Sequence, residues 1–184
     1  MILIFLDNSR HMQYNLTQAI HILERTPAVL KTFLYGLSIE WTSSNEGPDT
    51  WSPFDIIGHL IHGEQEDWLK RSNLILSNNE DKTFQPFDRF AQFEHSKGKS
   101  INELLDEFEV LRNKNIEKLK ALNISEEQLK LKGKHPVLGD VTLKELLSCW
   151  VVHDLGHISQ ISRVMAKQYK TEVGPWIEFL GILK

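Results

Sequence analysis

Apolar positions return every three or four residues over most of this chain, and only helices announce themselves clearly. The first periodic segment covers residues 10–25. Thr26-Pro27 then pairs a capping residue with proline at the first helical position, which predicts a short helix running toward Gly36. Residues 38–50 are polar and end in Gly47-Pro48-Asp49, the composition of a loop. Ser52-Pro53 repeats the cap-and-proline signal. The helix it opens carries Phe54, Ile57, Leu60, Ile61 and Trp68 and is expected to end near Ser77. Residues 78–99 show no clean period, and a connection of that length in a compact domain is often packed on a site. Ser100 with Glu103 forms a capping box ahead of Ile101, Leu104, Leu105, Phe108, Leu111 and Leu119 at helical spacing. Residues 131–141 contain Gly133, Pro136 and Gly139-Asp140, which predicts a turn or small hairpin. Thr142 with Glu145 makes a second capping box, and the last long helix runs to about Tyr169. Val173-Gly174-Pro175 stops it, leaving an apolar tail.

Four long helices and no strand-rich block predict an all-α fold, an up-and-down four-helix bundle with short extra helices, over one domain of residues 1–184. The length suits a single sizeable core. Composition narrows the function classes. A net charge of -4 supplies no basic stripe for nucleic acid. No run approaches the ~20 apolar residues of a membrane span. The apolar start, Met1 to Leu6, is short, is stopped by Asp7, and reads as a docked tail. Cys149 is the one cysteine, which rules out an internal disulfide and points to a cytoplasmic protein.

The chemistry concentrates in histidines. His153 and His157 are four apart on the strongest helix, so their side chains project within about 40° of each other, one turn apart. Their neighbours Leu146, Trp150 and Val164 on one line, and Leu147, Val151, Ile158 and Ile161 on the next, place them on the core side. Two imidazoles make a weak site, and a third ligand must come from elsewhere. On the Ser52 helix, His59 runs with Ile56, Leu60 and Gly63 and faces inward. His62 runs with Asp55, Gln65 and Glu66 and faces solvent. Gly63 clears space one turn beyond His59. The same spacing also fits histidines that are simply hydrogen-bonded in a core. His11, His21, His95 and His135 show no partner pattern.

Three other residues stand near this set. Asp154, on an otherwise apolar line, can orient an imidazole or pair with a lysine or arginine. Gln160 lies three past His157 on its face and can touch a bound water or a substrate. Glu64 is on a buried line, where a carboxylate serves as a general base or sits in a salt bridge. Cys149, four before His153, can be a fourth ligand or a small buried apolar residue.

The stretch from Trp51-Ser52-Pro53-Phe54 to Gly58-His59-Leu60, the stretch His153-Asp154-Leu155-Gly156-His157-Ile158-Ser159-Gln160, and Val173-Gly174-Pro175-Trp176 occur in the order of the DinB-like superfamily of metal-binding four-helix bundles, which the chain resembles over nearly its whole length. That resemblance implies one ligand histidine from the second long helix and two from the last, here His59, His153 and His157. It implies zinc or nickel as the divalent metal, a small-molecule substrate and often a homodimer. Some members are transferases that use a low-molecular-weight thiol such as bacillithiol or mycothiol, others are called metal-dependent hydrolases, and many have no known activity. The metal can lower the pKa of bound water to about 7 or favour a coordinated thiolate, so the ligands do not choose the reaction.

Overall fold

The computed structural model describes residues 12–184. The apolar run at 1–6, His11 and the start expected for the first helix lie outside them. Among the described residues eight α-helices form: α1 Leu16–Leu23, α2 Thr26–Leu34, α3 Ile39–Ser43, α4 Pro53–Glu66, α5 Trp68–Leu76, α6 Ala91–Ser96, α7 Ile101–Ala121 and α8 Leu143–Lys167. A two-stranded antiparallel hairpin, β1 Lys132–His135 and β2 Gly139–Thr142, precedes α8. Short 3-10 turns, Gly174–Phe179 and Gly181–Leu183, follow it. No helix among the described residues is long and apolar enough to cross a membrane.

Local signals set most of these boundaries. Ser100 with Glu103 and Thr142 with Glu145 form the expected capping boxes, and Ser52 with Asp55 forms a third. Three local expectations change. The helix after Ser52 breaks at Asp67, whose backbone (φ -112, ψ -83) is not helical. The polar stretch 38–50 holds the short α3, and the aperiodic stretch 78–99 holds α6. Thr26 is the first residue of α2 rather than its cap, and its hydroxyl donates to Asp154 Oδ2 at 2.8 Å instead.

A four-helix bundle is what forms, built from α1–α2, α4–α5, α7 and α8. Cross-links fix the directions. Lys120 reaches Glu24 while Gly36 N–H reaches Asn102, so α7 runs against α1–α2. Glu64 meets Arg112 and Asn115, and Phe54 lies with Ile101 and Asn102 around one hollow, so α4 and α7 run the same way. The up-and-down order therefore holds except at this step, where residues 77–100 carry the chain back along the bundle. That connection is pinned down rather than loose. Phe84 N–H donates to Lys134 O and Lys134 N–H to Lys82 O, both at 2.9 Å, which ties it to β1.

The core is two apolar clusters separated by one polar layer. Leu23, Trp68, Ile116, Leu119, Leu147 and Trp150 lie in the first, and Leu30, Leu34, Ile57, Leu104, Phe108 and Ile161 in the second. Between them each helical segment contributes a polar side chain: Thr26, Glu64, Arg112 and Asp154, none more than 5% exposed. Arg112 donates from Nε and Nη2 to Glu64 Oε1 (3.0 and 2.8 Å), from Nη1 and Nη2 to Asp154 (2.6 and 3.1 Å), and from Nη1 to Leu23 O at 2.9 Å. All five guanidinium N–H groups are thus used. Burial by itself would depress Arg112, but Glu64 and Asp154 outweigh it and hold its pKa above the ordinary arginine range. The cation also lies over the rings of Phe108 (4.9 Å) and Trp150 (5.2 Å).

Candidate metal centre

The polar layer fixes the part of α8 that carries the histidines. Asp154, clamped by Arg112, sits between His153 and His157 in sequence. Trp150 stacks on Trp68 (5.6 Å, 7°), and Trp68 meets the His153 ring edge-on at 5.0 Å. From α4, His59 projects into the same space, 8% exposed. Its Nε2 lies 3.1 Å from His153 Nε2, which in turn lies 3.1 Å from His157 Nε2. Ligand atoms of all three fall within 4.8 Å of one another, and no other such group of metal-ligating side chains occurs among the described residues.

This convergence fits a metal ion. Two nitrogens about 2.05 Å from a tetrahedral zinc stand roughly 3.3 Å apart, close to the spacing seen. Three bare lone pairs aimed at one point repel unless a cation or proton sits among them. The imidazoles are held neutral, as metal binding requires. Burial pushes His59 and His153 down to about 3, helped by the repulsion that a protonated His157 would add. Burial also lowers His157, against the opposing pull of Gln160 and Asp154.

Gln160 Oε1 lies 2.9 Å from His157 Nδ1, which fits an Nδ1–H donating to the amide oxygen and leaving Nε2 bare toward the other two rings. Asp154 is fully buried but spends both oxygens on Arg112 and Thr26, and its arginine partner is in the core rather than at the bundle surface. Glu64 is likewise taken up by Arg112 and Asn115, away from solvent. Arg112 and Asn115 had no sequence signal beyond their helical register. His62 is half-buried, against the Phe87 ring at 4.7 Å. Cys149 does not join the histidine group.

The histidines open onto a cavity of about 760 Å³. Trp51, Trp68, Phe84, Phe87, Leu138 and Leu146 give it apolar walls, and Asp67, Arg71, Arg89, Cys149 and Gln160 add polar points. A Cβ at Gly63 would stand 3.2 Å from Trp68 Nε1, so the glycine makes room for that wall. The break at Asp67 turns its carboxyl into the cavity, where Arg71 Nε lies 2.8 Å from Oδ1 without hydrogen-bond alignment. Burial raises this carboxyl to about 6 despite Arg71.

Residues 22–161 match the sequence profile of the DinB superfamily. The chain belongs to that superfamily. Among solved structures, this DinB-superfamily fold is similar to YfiT from Bacillus subtilis, described as a probable metal-dependent hydrolase with an unusual four-helix bundle topology. The two are 19% identical, with a TM-score of 0.71 over 89% of this chain and 93% of that one. No curated protein sequence matches this chain.

The neutral imidazoles set a pH dependence in the metal-free protein. Unfolded histidines take up protons near pH 6.5, whereas His59 and His153 do so in the fold only near pH 3. Between these values the unfolded chain binds more protons, so stability is full above pH 6.5 and is lost as pH falls through the window. Asp67 acts oppositely between 3.8 and about 6, one group against three. With chelator present, unfolding free energy is expected to fall by about 2 kcal/mol or more from pH 7 to pH 5. Equal denaturant midpoints at the two pH values would refute this.

Proposed function

We propose that this protein is a metal-dependent enzyme in which His59, His153 and His157 hold one divalent ion, zinc or nickel, and that it transfers a low-molecular-weight thiol to an electrophilic small molecule. The observation that carries the reading is the convergence of three Nε2 atoms on the wall of a largely apolar, half-open cavity. A bound ion would act there as a Lewis acid that favours the thiolate over the thiol. Three neutral ligands leave the ion its full charge for that task. The protein's own residues do the rest. Gln160 holds His157 in one tautomer. Trp51 and Phe87 flank His59, with ring centroids 4.8 and 5.6 Å away, and exclude water from that side. The cavity volume accommodates a small thiol and a second molecule together.

Hydrolysis is the second reading. Asp67 favours it, because a cavity-lining carboxyl titrating near pH 6 is suited to move a proton at a leaving group. The description of YfiT points the same way. Zinc- or nickel-loaded protein assayed with monobromobimane plus cysteine, and separately with 4-nitrophenyl acetate, tells them apart. Thiol-dependent bimane consumption, reduced on the order of 100-fold or more in His157→Ala, is expected. Ester cleavage without thiol, lost in the same variant, would move the assignment to hydrolysis. Neither activity in metal-loaded protein would leave a binding bundle.

A further inference from the structure

α6 lies in the stretch that carries no helical period, yet it is packed closely on α4. Gly58 permits this. A Cβ there would stand 2.4 Å from Ser96 Oγ and 3.6 Å from Gln92 Cβ. Gln92 is fully buried as a result, and neither its amide oxygen nor its amide nitrogen has a hydrogen-bond partner. Beside Gly58 in sequence is His59, whose Nδ1 is also buried and unpartnered. α6 thus sets one orphaned amide against the turn of α4 that carries an orphaned imidazole nitrogen, and orphaned polar groups in a protein interior are costly unless they serve each other. On the other side of the site the same chemistry is already made: Gln160 Oε1 takes His157 Nδ1 at 2.9 Å.

We propose that Gln92 is the positioning residue for His59, its side-chain oxygen accepting a hydrogen bond from His59 Nδ1–H and so turning the bare Nε2 toward His153 and His157. Two glutamines, one on α6 and one on α8, then fix two of the three imidazoles. The orientation of His59 becomes coupled to the packing of the connection between α5 and α7, which also supplies Phe84 and Phe87 to the cavity wall. The effect of Gln92 on the His59 ring has the sign of such a bond, since its amide opposes the depression caused by burial.

This rests on the three-histidine reading, and the test separates the two. Zinc affinity is measured by competition with a chromophoric chelator for the parent, Gln92→Leu, Gln92→Glu and Ser96→Ala. Gln92→Leu is expected to bind zinc about 10- to 100-fold more weakly. Gln92→Glu, which keeps the acceptor, should stay near the parent. Ser96→Ala, which removes the side-chain oxygen that the same helix packs against Gly58 without removing the acceptor, should do likewise. In the metal-free protein, imidazole 15N shifts should show His59 as the Nδ1–H tautomer, lost in Gln92→Leu. Parent-like zinc affinity in folded Gln92→Leu, an equal loss in Ser96→Ala, or an Nε2–H tautomer for His59 in the parent would each overturn the proposal. A parent that binds no zinc would defeat the three-histidine reading, and the tautomer measurement would still decide the role of Gln92.

Discussion

Replacing Arg112 with methionine is expected to destabilise the protein by about 3–5 kcal/mol, the usual cost of removing one partner from a buried ionic network. Methionine fills similar volume, so the loss is electrostatic. Glu64 and Asp154 would remain in a layer closed to water, each deprived of the donor that neutralised it. Leu23 O, at the end of α1, would lose its donor as well. For a protein with the common total of about 5–15 kcal/mol, that is a fifth of the stability or more. Adding Glu64→Gln and Asp154→Asn to Arg112→Met should recover much of the loss, because the stranded charges go with their partner. Guanidinium unfolding followed by circular dichroism measures all three proteins. A single Arg112→Met variant within 1 kcal/mol of the parent would show that the layer is hydrated and cheap to break.

The double substitution His153→Ala, His157→Ala should take bound metal from about one equivalent to almost none. His59 alone cannot hold a divalent ion, since a single imidazole offers none of the chelation that gives such sites their affinity. Elemental mass spectrometry on protein purified without a metal-chelating tag gives the result directly. The consequence for stability has a definite size. Zinc at 100 times its Kd adds about 2.7 kcal/mol to the folded state, so zinc should raise the melting temperature of the parent and leave that of the double variant where it is. The variant itself should fold, because it removes two of the three imidazole nitrogens that face one another and leaves the Arg112 layer intact. No metal in the parent, even after reconstitution, would sink the metal reading.

The sequence by itself determined the features governed by contacts within one turn of helix. The capping boxes at Ser100 and Thr142 need only residues three apart, and the structure forms both. His153 and His157 face the same way because α8 has 3.6 residues per turn, and their apolar neighbours show that this way is inward. His59 rather than His62 was distinguishable for the same reason. Tertiary structure decided everything that depends on partners far along the chain. Thr26 has the local marks of a cap, but a bond to Asp154, 128 residues away, is what its hydroxyl makes. Arg112 sits in a helix rich in charge, where an arginine ordinarily meets solvent. It is buried because Glu64 and Asp154, 48 and 42 residues distant, reach it only once three helices are in place. Asp67 faces the cavity through a backbone break that no periodicity announces. Gln92 belongs to six residues of helix with no repeat of their own, and its burial comes from Gly58 on another element. The period of a helix is written into each few residues, whereas the pairing of a buried charge or amide exists only after the bundle closes around it.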